Sequence, residues 1–319
     1  SPVTETTGNS VDDSVTGTVN ATDNQLPVAI ASADVDSGAA PLLVSFSGDL
    51  SNDPDVGGSI VNWHWDFGDG TTSDGVANPS AHSFPPGVYD VVLTVTDDKG
   101  AMNSTSLTVT SGYAATQDTY VYEFLGNQAD PAVPGDSGGV LIWNHESNHG
   151  SKGLIQFDSA AATDAAAFGV GNYTATLNLH HVCEIDGFVS ACPGEADADN
   201  PFTPGTATVK VDVILQDIAW LQEDAALAWG DVNETSPASA TMTLSTPSGW
   251  TSLDVTSLVD AWVTGSSDFG FSLSQEAYPA LRVDTGNFQP VAAFCDSESS
   301  AGACAAGNFR PYLVIREAP

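Results

Sequence analysis

The chain has very few basic residues. Its 319 residues include 6 lysines and arginines against 41 aspartates and glutamates, which gives a formal net charge of −35 at pH 7. Nucleic acids and anionic membrane surfaces are themselves negative, so the chain is expected to bind neither. Divalent cations are the expected counterions, although an acidic surface also keeps a protein soluble in concentrated salt without any specific ligand.

Long apolar runs are also absent. No stretch is long enough to span a bilayer as a helix, and no signal peptide is present. We therefore expect a mature secreted form without its leader, located outside the cell or at the cell surface.

Cysteine is scarce, and its spacing excludes the common metal motifs. The four cysteines form two close pairs, Cys183 with Cys192 and Cys295 with Cys304. Neither pair has the CxxC spacing of a zinc knuckle or a redox motif, so two local disulfides formed in an oxidising compartment are expected.

What the chain does have is strand and turn chemistry, most clearly in "NWHWDFGDGTTS" at residues 62–73. Trp63 and Trp65 alternate with polar residues, which predicts a strand with one buried face, and Gly68-Asp69-Gly70 predicts a sharp turn. The wider pattern, with "SNDPDVGGSIVNWHWDFGDGTTSD" and "HSFPPGVYDVVLTVTDDKG", closely resembles the polycystic-kidney-disease (PKD) repeat. The resemblance implies an Ig-like extracellular β-sandwich over residues 25–112.

Residues 113–319 show strands separated by longer loops. "QDTYVYEF", "GLIQFD", "GWTSLDVTSLVDAWVTG" and "RPYLVI" resemble, in order, the DNRLRE domain, which is related to carbohydrate-binding family 96. That resemblance implies a larger jelly-roll-type sandwich, so the expected fold class is all-β. Two stretches predict short helices, "DSAAATDAAAF" and the segment around Leu258 and Trp262.

Residues 1–24 form a Thr- and Ser-rich tail with a weak strand pattern in which Val15 and Val19 alternate with polar residues. Such a segment is a candidate donated strand that would add to the sheet of another copy of the protein. This hypothesis makes the protein a structural subunit of an extracellular filament or surface layer.

Two groups of carboxylates are candidate Ca²⁺ ligands, because Ca²⁺ accepts irregular sets of oxygen donors from loops. The first group is Asp53 and Asp55 with Asp97 and Asp98, which the PKD resemblance would bring together at one end of its sandwich. Turns in which the aspartates bond their own backbone are the alternative. The second group is Asp118 with Asp158.

Four tryptophans of the second segment could serve an aromatic binding surface. All four, Trp250 and Trp262 included, are expected to pack the core, and Trp220 and Trp229 are the better candidates for ligand binding because their segment is loop-like. His180 and His181 follow an alternating strand, so one should face inward and the other outward.

Two strings resemble enzyme motifs without the context that catalysis needs. His145 and His149 fit H-E-x-x-H, but glycines and asparagines surround them where a zinc protease needs a helix. Gly135–Gly139 reads GDSGG without the upstream partners of a serine protease. We expect a non-catalytic protein that binds extracellular polysaccharide or cell-surface matrix, with a filament subunit as the alternative and a metal-dependent hydrolase third.

Overall fold

The computed structural model describes residues 24–123, 140–145, 149–182, 184–185, 188–189, 207–214, 239–244, 249–265, 270–275, 290–295 and 309–319. Nine strands come first in the chain: β1 (Ser32–Ala33), β2 (Ser37–Ala39), β3 (Leu42–Val44), β4 (Phe46–Ser47), β5 (Ile60–Asp66), β6 (Thr72–Asp74), β7 (His82–Phe84), β8 (Gly87–Asp97) and β9 (Met102–Glu123). The first eight and the first half of β9 form the first sandwich.

The remaining elements follow β9 in the chain and, apart from the separate pair β13–β14, form the second sandwich together with the second half of β9. They are β10 (Val140–His145), β11 (His149–Phe157), α1 (Ser159–Phe168), β12 (Tyr173–Val182), β13 (Glu184–Ile185), β14 (Phe188–Val189), β15 (Ala207–Val213), β16 (Ser239–Leu244), β17 (Gly249–Asp254), α2 (Thr256–Thr264), β18 (Gly270–Gln275), β19 (Pro290–Phe294) and β20 (Tyr312–Glu317). The expected all-β class, an Ig-like sandwich followed by a larger jelly-roll-type one, is confirmed.

The first sandwich has one continuous sheet facing two short strand pairs. The sheet runs β6–β5–β8–β9, with β2 added in parallel to β9. The pairs are β1 with β4 and β3 with β7. Between these layers lies a core of aliphatic and aromatic side chains: Leu42, Val44, Phe46, Trp65, Phe67, Phe84, Val91, Leu93, Val95 and Val109.

The side chains of β5 alternate between the buried and the outer face of the sheet, as the sequence predicts. Trp65 is fully buried, and Trp63 on the same face packs against the core while its indole N–H donates to the carbonyl of Gly48 at 3.3 Å. An irregularity between Ile60 and Asn62 lets Ile60 also face inward, which leaves Val61 exposed.

The second sandwich has a front and a back sheet. In the front sheet β12 is central, with β17 along one edge and β20 and β19 along the other. The back sheet runs β16–β15–β18–β11 and ends on the second half of β9.

Both helices pack into the core of the second sandwich. Ala161, Ala162 and Ala165 of α1 are buried there, and Trp262 of α2 stacks on Phe271 of the back sheet with ring centroids 4.5 Å apart. Neither described helix is long and apolar enough to cross a membrane. The two predicted helical stretches are therefore correct, although the second one, residues 252–265, begins with three residues of the strand β17.

A single strand joins the two sandwiches. β9 pairs with β8 up to Ser111 and with β20 from Tyr113, without a break. The division of the chain at residue 112 thus stays a prediction about domain boundaries, and the structure places a continuous strand there rather than a linker.

Candidate functional site

The outer surface of the front sheet carries a cluster of aromatic and polar side chains. On β12, Leu177 and Leu179 belong to the core, so Asn178 and His180 point outward. The strand register sets Trp250 of β17 opposite His180. It also sets two residues opposite Asn178, namely Ser252 on one side and Tyr312 on the other. We call this surface, made by Trp250, Ser252, His180, Asn178, Tyr312 and Phe309, the Trp250 face.

Trp250 is the exposed indole of this face, with 41% of its surface accessible. Its ring stands edge-on to His180 at 5.3 Å and to Tyr312 at 5.1 Å, and it is tilted against Phe309 at 6.2 Å. Edge-to-face aromatic pairs are favourable. Two edge-to-face neighbours and the tilted ring of Phe309 hold the indole in place, so little side-chain entropy remains to be lost when a ligand covers it.

His180 contacts two other rings of the cluster, those of Trp250 and Phe309. Its imidazole stacks on Phe309 with centroids 3.9 Å apart, and its backbone carbonyl accepts a hydrogen bond from the amide of the disulfide-bonded Cys295 at 3.0 Å. Burial lowers the pKa of His180 below its ordinary 6.5. The ring is therefore mainly uncharged at neutral pH, so it adds no positive charge to the cluster.

Polar groups border the rings. Ser252 donates its hydroxyl to Asn178 Oδ1 at 2.6 Å, and Arg316 Nε donates to the Thr174 hydroxyl at 3.3 Å. Asp254 accepts bonds from the hydroxyl and the backbone N–H of Thr256, and these bonds lower its pKa. An exposed ring beside the Ser252 hydroxyl, with the Asp254 carboxylate farther along the same strand, suits a ligand that has one flat apolar side and a polar edge.

A second site candidate lies at one end of the first sandwich. The Lys99 ammonium is 2.5 Å from Asp55 Oδ2, and the amide of Asp98 donates to the carbonyl of Ser59 at 2.9 Å. The bond to Asp55, and then the charges of Asp55, Asp98 and Asp53, raise the pKa of Lys99. The two acidic loops thus meet as the sequence predicts, but the positive charge between them is a lysine.

Asp53 and Asp97 differ in how their carboxylates are satisfied. Asp53 Oδ1 accepts from the amide of Asp55 at 2.9 Å, whereas its buried Oδ2 has no hydrogen-bond partner among the described residues. Asp97 is 1% exposed and accepts from Ala101 N, Lys99 N and Asn24 Nδ2. Burial alone would raise the pKa of Asp97, but these hydrogen bonds outweigh it and lower the pKa.

Comparison with known proteins bears on the first sandwich. A family model described as the PKD domain matches residues 24–111. The PKD1 domain of Vibrio anguillarum Epp is 41% identical; the match covers 28% of this chain and 96% of that domain, with a TM-score of 0.24. Residues 24–111 are a PKD domain.

Other relatives extend the comparison. Collagenase ColQ1 of Bacillus cereus (strain Q1) is 46% identical over 67 residues, which is 21% of this chain and only 7% of the collagenase. A structure of carbohydrate-binding modules from the β-sandwich superfamily covers 79% of this chain and 97% of its own, at 17% identity and a TM-score of 0.31. A score of that size does not establish a shared fold for the second sandwich.

Within the PKD domain, the aspartates of the DFGDG motif form turns. Asp66 Oδ1 accepts from the amide of Gly68, and Asp69 Oδ1 accepts from the amide and hydroxyl of Thr71. The other oxygen of Asp69 lies 2.7 Å from His82 Nε2. These contacts are structural, because they fix the turn after β5.

The second predicted calcium pair is spread along the back sheet. Asp118 lies opposite Ile155 in the register of β9 and β11, whereas Asp158 follows β11 and caps α1 by accepting from the amide of Ala160 at 2.8 Å. Among the described residues, no three His, Cys, Asp or Glu side chains are grouped so as to hold a metal ion. The calcium assignments stay predictions.

One aromatic prediction is wrong. Trp262 is 3% exposed and packs the core as expected, but Trp250 is exposed on the surface of the front sheet. A signal in the sequence could have shown this, because Trp250 alternates with Ser252 and Asp254 on the polar side of its strand. His181 is buried and His180 faces outward, as the alternation predicts.

Several predicted residues lie outside the described part of the chain. They are Trp220, Trp229, Val15, Val19, Cys183, Cys192, Cys304 and residues 135–139. His145 and His149 are described by their backbone alone, which pairs them across the antiparallel strands β10 and β11. The helical spacing that H-E-x-x-H needs in a zinc protease is therefore not present there.

Proposed function

We propose that this protein is a non-catalytic, extracellular polysaccharide-binding protein whose ligand stacks on the Trp250 face. The observation that carries the proposal is the exposed indole of Trp250, held edge-on by His180 and Tyr312. The apolar face of a pyranose ring can cover such an indole while its hydroxyls reach the polar groups alongside.

Charge narrows the ligand class. With a net charge of −35, the protein repels polyanions over the range of a Debye length, about 8 Å at physiological salt. The proposed ligand is therefore an uncharged polysaccharide rather than an acidic one.

The resemblance of residues 113–319 to the DNRLRE domain supports the same proposal, since such domains are associated with extracellular polysaccharides and matrices. The disulfide at Cys295 fits an oxidising, extracellular setting. The match to collagenase ColQ1 is confined to 67 residues, so proteolysis is not part of the proposal.

Replacing Trp250 with alanine is expected to weaken polysaccharide binding strongly. An interface residue of this kind contributes about 2 kcal/mol or more, so affinity should fall roughly thirtyfold. Affinity electrophoresis in gels containing hydroxyethyl cellulose, laminarin, glycol chitin or alginate measures this directly. Phe168→Ala is the matched control, because Phe168 is an exposed aromatic residue at the end of α1. Migration of the wild type that none of the three uncharged polysaccharides retards would refute the proposed function, even if alginate retards it.

We also propose that the acidic loops of the PKD domain bind Ca²⁺. The proposal is supported by the unpartnered Oδ2 of Asp53 and by the packing of Gly58, which leaves no room for a side chain beside that carboxylate. Ca²⁺ would compete with the Lys99 ammonium for Asp55.

Calcium is then expected to raise the melting temperature. A ligand present at about 100 times its Kd stabilises the folded state by about 2.7 kcal/mol, which corresponds to a rise of roughly 10–20 °C for a domain the size of residues 24–111. Differential scanning calorimetry in Ca²⁺, in Mg²⁺ and in EDTA tests this, with Asp53→Asn as the variant that should lose the shift. Equal melting temperatures in Ca²⁺ and EDTA would rule the site out.

A further inference from the structure

We propose that the PKD domain supplies part of the ligand surface: Asp36 and Ser37 hydrogen-bond the hydroxyls of an uncharged polysaccharide chain whose rings stack on Trp250. This inference rests on the proposed function and deepens it. It assigns ligand contacts to a domain that the family resemblance would make a spacer.

Tyr312 links the two domains. Its ring lies 5.1 Å from that of Trp250, on the strand β20 next to β12. On its other side the ring covers Gly112 of β9, where an added Cβ would lie 2.5 Å from Tyr312 Cδ2. Tyr312 is 6% exposed, so the surrounding groups pack closely against it.

Ser37 and Asp36 are the next neighbours of this tyrosine. β2 and β20 both pair with β9, where Ser37 lies opposite Thr110 and Tyr312 lies opposite Ala114, so the alternation of side chains puts both on the same face of the sheet. Burial and the charge of Asp36 raise the pKa of Tyr312 and a hydrogen bond with Ser37 lowers it, which agrees with this placement. The side chains of this face thus extend from Trp250 through Tyr312 to Ser37, whose hydroxyl donates to Asp36.

The backbone fixes Asp36 and Ser37 in position. β2 pairs in parallel with β9, where Ser37 lies opposite Thr110. The amide of Thr110 donates to the carbonyl of Asp36 at 2.8 Å, and the Ser37 hydroxyl donates to Asp36 Oδ1 at 3.0 Å. Both side chains remain exposed. A carboxylate held in this way can accept bonds from two neighbouring hydroxyls, which is an arrangement that sugars offer.

The distance between Trp250 and Asp36 requires a long ligand. From β17 to β2 the surface crosses β12, β20 and β9, so it spans four strand spacings, or roughly 19 Å. A disaccharide on Trp250 would not reach Asp36, whereas a longer chain would. The contribution of the PKD domain should therefore depend on ligand length.

The test uses the full chain with the double substitution Asp36→Asn and Ser37→Ala. The probes are cellobiose and cellohexaose, with chitobiose and chitohexaose as the second pair, and affinities are measured by isothermal titration calorimetry. Loss of these hydrogen bonds should weaken hexasaccharide binding roughly tenfold and leave disaccharide binding unchanged. Asp74→Asn is the control, because it makes the same charge change on the exposed edge strand β6, three strands away from β9 in the PKD sheet.

Equal hexasaccharide affinities for the double variant and the wild type, with weakened binding by Trp250→Ala, would overturn this inference and leave the proposed function intact. A wild type that binds neither hexasaccharide and that no polysaccharide gel retards would overturn both. The single substitution Asp36→Asn preserves the shape of the side chain and serves as a second, milder variant. Unchanged melting temperatures confirm that each variant is folded.

Discussion

Trp65→Ala is expected to lower the free energy of unfolding of the PKD domain by about 3–5 kcal/mol, because it removes a fully buried indole from the centre of that core. The ring packs against Phe46 with centroids 5.4 Å apart, and its strand register places it opposite Leu93. A domain of this size has a total stability of about 5–15 kcal/mol, so the loss is a large fraction of the whole. Urea denaturation followed by circular dichroism gives the value.

Trp65→Phe is the informative comparison for this prediction. The indole N–H of Trp65 is buried and has no hydrogen-bond partner among the described residues. Phenylalanine keeps most of the ring and removes that unpaired donor, so its cost should be only about 1 kcal/mol. If the phenylalanine variant loses as much stability as the alanine variant, the indole N–H has a partner after all.

Gly112→Val is expected to disrupt the junction between the two sandwiches. The added Cβ would lie 2.5 Å from Tyr312 Cδ2 and 3.0 Å from the carbonyl oxygen of Leu313. Overpacking of this kind costs about 1–3 kcal/mol or more, and here part of the clash is with backbone, which a rotamer change cannot relieve. Calorimetric unfolding should show the loss, and displacement of Tyr312 should also weaken ligand binding at Trp250.

A double-mutant cycle with Tyr312→Ala tests whether the clash with Tyr312 causes the loss of stability in Gly112→Val. Removing the tyrosine ring makes room for the valine methyl groups, so the double variant should be more stable than the sum of the two single effects predicts. Additive effects would mean that the clash with Leu313, and not with Tyr312, dominates.

Much of the fold could be predicted because its signals are local. Alternation in β5 predicted that Trp63 and Trp65 share a buried face, and the glycines and aspartates of DFGDG predicted the turn that Asp66 and Asp69 now stabilise. The alanine-rich run predicted α1. Each of these inferences concerns residues close together in the chain, where backbone geometry alone limits the choices.

The candidate site could be predicted only in part. That the second segment is a sandwich followed from its strand pattern, and the alternation of Trp250 with Ser252 and Asp254 was visible. Whether that side of β17 is covered or open depends on how the sheets stack, and the expectation that Trp250 packs the core was wrong for that reason. The acidic loops were placed together correctly, but the pairing of Asp55 with Lys99 was not foreseen.

The sequence by itself determined that this is an acidic, all-β protein with a PKD domain, because charge, period-two alternation and turn residues are properties of short segments. Only the tertiary structure decided that Trp250 is exposed and that Tyr312 connects it to Ser37. Those contacts join residues that are distant in the chain, and they exist because β9 runs from one sandwich into the next and lets β2 and β20 lie on either side of it.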